Sequence, residues 1–138
     1  MKNIPLLLLA VTFLMTSCKK DEVKKKEGVD PLASGVYKGE FYRGGPLIDA
    51  ISSHVTIVVT DNKFEGSSDV SNYPSICSGT FSVSGSKINF SNACAFTANF
   101  DWTLILGGEY DLEVNGNEVI MIHRYDDGNF DRYRLSKQ

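Results

Sequence analysis

The chain has 138 residues but only two histidines and three cysteines to offer metal or thiol chemistry. If one cysteine is committed elsewhere and the other two bridge, no ordinary zinc site can be assembled. The phosphate-cradling GxGxxG and P-loop patterns are missing, as are the HExxH helix and the CxxC pair. The serine-rich stretches contain no GxSxG elbow. The carboxylates of "YDDGNFD", residues 125–131, do not follow the spacing of an EF-hand loop. No catalytic residue can be named on this basis, and no metal, cofactor or enzyme activity is expected.

Positive charge is also scarce: 14 Lys and Arg stand against 17 Asp and Glu, a net charge of −3. A nucleic-acid partner would require a concentrated basic face, so none is expected. Long apolar runs are limited to Ile4–Met15. That run falls short of the roughly 20 residues that a membrane-spanning helix needs. After residue 33 no helical apolar period of useful length occurs.

The N-terminus reads as an export signal. Lys2 supplies a positive start, the apolar run follows, and the small residues Thr16 and Ser17 precede a processing point. "MTSC", residues 15–18, resembles a bacterial lipobox, with Met15 where Leu is usual. "CKKDE", residues 18–22, is similar to the export tag of Bacteroidetes surface lipoproteins. The resemblance implies a lipoprotein signal peptide over residues 1–17 and a lipid on Cys18. It also implies anchorage to the membrane on the outer face of the outer membrane. "KKDEVKKKEGVD", residues 19–30, has too few apolar residues to fold, so residues 18–32 are expected to be a lipidated cysteine and a disordered tether. The remainder, residues 33–138, is one domain.

With Cys18 lipidated, Cys77 and Cys94 remain as an even pair in an oxidising compartment. Between them Gly85-Ser86 is a plausible two-residue hairpin loop. A hairpin centred there sets Val83 opposite Ile88, Phe81 opposite Phe90 and Cys77 opposite Cys94 on one face. A disulfide is expected.

Alternation of apolar and polar residues, broken by turn dipeptides, marks eight strands. They run near 34–42, 54–60, 63–68, 76–84, 87–91, 102–114, 118–125 and 130–136. Asp61-Asn62 as a loop sets Val59 opposite Phe64. Asn115-Gly116 as a loop sets Leu112 opposite Val119 and Tyr110 opposite Met121. The Asp126-Asp127-Gly128 loop sets Met121 opposite Tyr133. Short antiparallel strands in sequence favour a meander that closes on itself and so removes its edges. The expected fold is all-β, an eight-stranded antiparallel up-and-down β-barrel, with a two-sheet β-sandwich as the alternative. "SGVYKGEFY", residues 34–42, resembles the glycine-x-aromatic opening of lipocalin-like (calycin) barrels, and "RYRL", residues 132–135, is similar to their basic final strand. The resemblance implies a ligand at the barrel mouth.

In such a barrel the three tight turns share one end and the longer connections gather at the other, a preferred place for a ligand. Residues expected to line or rim that mouth are Leu47, Ile48, Tyr73, Phe96, Phe100, Trp102 and Tyr125. These aromatics stack on a ligand ring or else plug the barrel end. His123 falls opposite Asp131, a pair that orients a ligand or is simply satisfied at the rim. Gly39, Gly66, Gly79 and Gly108 point inward, leaving a cavity or permitting tight coiling. The leading expectation is a non-catalytic binder of a small apolar or aromatic ligand. The alternative is a protein-interaction module, either a hydrolase inhibitor or an accessory subunit of an envelope complex.

Overall fold

A computed structural model describes residues 32–97 and 99–138 of the protein. The expected signal peptide, the expected lipidation site Cys18 and the expected tether up to residue 31 lie outside the described residues. Leu32, read as the end of the tether, is 2% exposed and packs into the core.

The alternating pattern forms eight strands: β1 (Gly35–Gly44), β2 (Ile51–Thr60), β3 (Lys63–Ser68), β4 (Ser78–Ser84), β5 (Lys87–Asn92), β6 (Gly108–Asn115), β7 (Glu118–Arg124) and β8 (Phe130–Lys137). Each pairs antiparallel with its chain neighbour, and β8 pairs with β1, so the sheet is a closed barrel. Closure excludes the sandwich. It also leaves no free edge to recruit other chains.

Alternation sends one side chain in two to the interior. Tyr37 and Phe41 from β1 meet Tyr133 and Leu135 from β8, all 3% exposed or less. Aromatic rings run through the barrel in contact: Phe41 with Tyr133 at 4.9 Å, Tyr133 with Tyr110 at 5.8 Å, Tyr110 with Phe90 at 5.9 Å and Phe90 with Phe64 at 5.1 Å. Burial of each such ring contributes on the order of 2–3 kcal/mol, and edge-to-face contacts add to that. Of the glycines expected on this face, Gly39, Gly66 and Gly79 serve close approach, whereas Gly108 at the start of its strand is exposed with open space beside it. A Cβ on Gly39 would strike the Arg134 carbonyl, and one on Gly79 the Ser91 carbonyl. Their missing side chains let neighbouring strands coil tightly, rather than opening a cavity.

Several boundaries differ from the sequence expectation. β1 runs on through Arg43 to Gly44 and β2 starts at Ile51, which shortens the first loop to residues 45–50. Residues 102–104 form a 3-10 turn, η1, instead of the start of β6. Asp101 caps that turn by accepting from the Thr103 amide, and Gly108, at φ 76°, redirects the chain into β6. The β6–β7 loop is Gly116-Asn117, so Leu112 lies opposite Met121 and Val114 opposite Val119. The reason is the position of the left-handed residue. Asp61, Gly85 and Gly116, at φ 54°, 59° and 62°, each hold the first place of a two-residue loop. A positive φ at the first loop position alone is the type II′ pattern, whereas an Asn115-Gly116 loop would put glycine second. The shift is by two residues, so every side chain keeps its face. The other expected registers hold, with Val59 opposite Phe64, Phe81 opposite Phe90 and Met121 opposite Tyr133.

Cys77 and Cys94 form a disulfide, with Cα atoms 6.3 Å apart, joining the chain just before β4 to the chain just after β5. On the outer face Arg132 lies over the Tyr42 ring, and Arg134 pairs with Glu118.

Candidate functional site

The two ends of the barrel are unlike. The β2–β3, β4–β5 and β6–β7 turns lie with the start of β1 at one end, where Ser34 Oγ accepts from the Asp61 amide at 2.9 Å. The other end carries residues 45–50, 69–77, 93–107 and 125–129. Two of these connections join across the opening. Ser75 and Ile105 form a parallel bridge, with the Ser75 amide donating to Leu104 O and the Leu106 amide donating to Ser75 O, both at 3.0 Å. This bridge holds Leu104, Leu106 and Pro74 inside as a plug. The plug is therefore aliphatic, not the aromatic set.

Beside the plug, Arg43 rises on the inward face of β1, two residues beyond Phe41, and is 8% exposed. Its Nε and Nη2 donate to the two oxygens of Asp131, each at 2.6 Å. Nη1 donates to Thr103 Oγ1 at 2.9 Å and Asp101 Oδ2 at 3.1 Å, and Nη2 to Thr103 O and the Tyr125 hydroxyl, both at 2.9 Å. Tyr125 in turn donates its hydroxyl proton to Asp131 Oδ2 at 2.8 Å. The guanidinium thus finds an acceptor for every N–H, the condition for burying it without a large penalty.

Electrostatics follow the geometry. Burial of Arg43 opposes its charge, but the hydrogen bond and charge of Asp131, with Tyr125 and Asp101, outweigh that and raise its pKa above the ordinary value. Burial, reinforced by the hydrogen bond to Asp131, raises Tyr125. Hydrogen bonding from Thr103, aided by Arg43, lowers Asp101 below the usual carboxylate range. Arg43, Asp131, Tyr125, Thr103 and Asp101 are thus engaged with one another.

Above the guanidinium opens a cleft of about 350 Å³. Ile48, Ile51, Tyr73 and Tyr125 supply its apolar wall, and Asp49, Asp101, Thr103, Asp127 and Asn129 its polar rim. Of the residues expected at the mouth, Ile48, Tyr73 and Tyr125 line this cleft. Asp131 lies beneath it, 1% exposed. Leu47 stands beside it, 72% exposed. Phe96, Phe100 and Trp102 form their own ladder, with Phe100 and Trp102 stacked at 6.1 Å and 9°. Trp102 and His123 border a second hollow of about 280 Å³, which shares Thr103 and Tyr125 with the first.

His123 does stand opposite Asp131 in the β7–β8 ladder, but the expected pair is replaced. His123 Nδ1 sits 2.8 Å from the Glu109 carbonyl, and its ring packs edge-on to Tyr125 at 4.6 Å. Asp131 also faces Arg43 across the β1–β8 ladder, and a two-pronged, charge-assisted bond outcompetes an imidazole. Arg43, which lines the cleft, is absent from the residues expected at the mouth, because the first strand was expected to end at residue 42. The signal was present as a third inward step after Tyr37, Gly39 and Phe41.

No family model, curated protein or solved structure matches the chain.

Proposed function

We propose that the protein is a non-catalytic binder that takes a small ligand with an apolar or aromatic body in the cleft over Arg43. A lipid on Cys18 would hold it at the outer membrane, probing the medium with the long-loop end. The observation that carries the reading is the cleft itself, at the end where the long connections gather and within the size range of roughly 300–1,000 Å³ usual for small-molecule sites. Ile48 and Ile51 keep 37% and 45% of their surface exposed there, which a ligand would cover. The mutual saturation of Arg43, Asp131 and Tyr125 suits a rigid floor better than a reacting centre. The disulfide accords with an oxidising compartment.

Native mass spectrometry of the full chain, extracted from its host's membranes, tests the reading. A small-molecule adduct that is lost in an Ile48→Asp variant is the expected result. An adduct that survives in that variant would place the ligand elsewhere and overturn it. The anchor is tested separately: Cys18→Ala should move the protein from the membrane fraction to the soluble one, and retention in the membrane would remove the lipid from the account.

A second reading, a protein-interaction module, is favoured by one feature. Leu47 and Trp102, 72% and 56% exposed, lie outside the wall of the main cleft and would suit a protein surface better than a small ligand. Recovery of a stoichiometric protein partner in the same spectrum, lost on Leu47→Asp, would support it.

A further inference from the structure

We propose that the cleft over Arg43 takes a small organic cation: an ammonium or guanidinium group carried on an apolar or aromatic body. The inference rests on the mouth-binding reading and adds the chemical class of the ligand.

The one cation on the cleft wall is already matched, since Asp131 holds Arg43 with both oxygens. Asp101 shares that guanidinium from an exposed position, and Asp49 and Asp127 on the same wall have no ion pair among the described residues. The imbalance extends around the whole end. The four connections there contain Asp49, Asp69, Asp101, Asp126 and Asp127 but no Lys, Arg or His. An anionic ligand would meet this field unfavourably, and a cation would be drawn in. The carboxylates are spread rather than clustered: no group of three or more His, Cys, Asp or Glu among the described residues could hold a metal ion. Spacing of this kind suits a bulky cation whose charge is reached from several sides. Tyr73 and Tyr125 add ring surfaces to the same wall, favourable to cations and to apolar bodies alike.

Two further groups point toward a ligand. Ser53 follows Ile51 on the inward face of β2, one step below the cleft wall. It is 5% exposed, and its Oγ has no hydrogen-bond partner among the described residues. Asn129, on the cleft wall, has a buried Oδ1 equally unpartnered. An oxygen left without a donor in a buried place is costly, and an N–H of an ammonium or guanidinium is the kind of group that would satisfy it.

The test is a titration of the isotope-labelled full chain with three probes of like shape: phenethylammonium, phenethyl alcohol and phenylpropanoate, followed by amide chemical shifts. The ammonium should shift the amides of Ile48, Tyr73 and Asn129 and bind roughly tenfold tighter than the alcohol. That preference should shrink by about threefold or more in ~1 M salt, where screening acts within ~3 Å. It should shrink similarly in Asp49→Asn, whose side chain is exposed. If the alcohol or phenylpropanoate binds as tightly at the same amides, the cation inference falls and mouth binding stands. If none of the three shifts those amides, both fall together.

Discussion

The barrel's two ends are built from different physics. At the tight-turn end, local sequence sets the chain reversals. Two-residue loops with a left-handed first residue reverse the chain, and the charges nearby, such as Lys87 with Asp111 and Arg134 with Glu118, pair in solvent. Such exposed pairs contribute little to stability. At the mouth, four connections are held by contacts between residues far apart in the chain. Arg43 reaches 88 residues to Asp131, and Ser75 bridges to Ile105. The first end can lose a group without consequence elsewhere. The second is a network in which removing one partner strands another.

The sharpest way to break the contrast is Asp131→Ala. It leaves the buried guanidinium with only the exposed Asp101 as counter-charge and should cost about 3 kcal/mol in urea unfolding. The double variant Arg43→Met with Asp131→Leu should lose markedly less. A single variant as stable as the parent would show that the network is not what holds the mouth.

Alkaline titration probes the same interior. Burial raises Tyr110 and Tyr133 above the ordinary value of 10.0. A phenol whose folded pKa lies above its unfolded one contributes stability that is complete below pH 10 and lost as the pH rises beyond it. The unfolding free energy should therefore fall above pH 10 by about 1.4 kcal/mol per pH unit for each of these two tyrosines. A flat profile between pH 10 and 11 would mean that the rings are not buried as described.

Cys77→Ser with Cys94→Ser releases the bases of two mouth connections and should cost roughly 3 kcal/mol for a loop of this size. Amide exchange should speed up at residues 69–77 and 93–107 and stay unchanged at the tight turns. Gly116→Ala acts at the opposite end. No atom lies near its added methyl, so the cost is backbone strain alone, on the order of 1–2 kcal/mol for a left-handed alanine. It should leave the mouth amides where they are. A shift at Arg43 or Tyr125 in that variant would erase the independence of the two ends.

Most of the barrel was legible in the sequence. Hairpin registers about Asp61-Asn62, Gly85-Ser86 and Asp126-Asp127-Gly128 followed from matching apolar faces, and the same register brought Cys77 to Cys94. The β6–β7 register slipped by two residues because the apolar pattern repeats every two residues and cannot distinguish such a shift. The site was legible only in part. Ile48, Tyr73 and Tyr125 line the cleft at the end where their position on long connections puts them. Arg43 was missed, and Asp131 was matched with the wrong partner, because hairpins report only on neighbours in sequence.

The amino-acid order alone thus sets the faces: which side chains turn inward, where the chain reverses, and which cysteines meet. These choices are local, made by alternation and by turn residues a few positions apart. It takes the assembled fold to close β8 on β1, to set Asp131 between His123 and Arg43, and to give it to the guanidinium. Closure is a property of the whole sheet, summed over eight strand pairings. The charge pattern of the mouth came into being only when the last pairing was made.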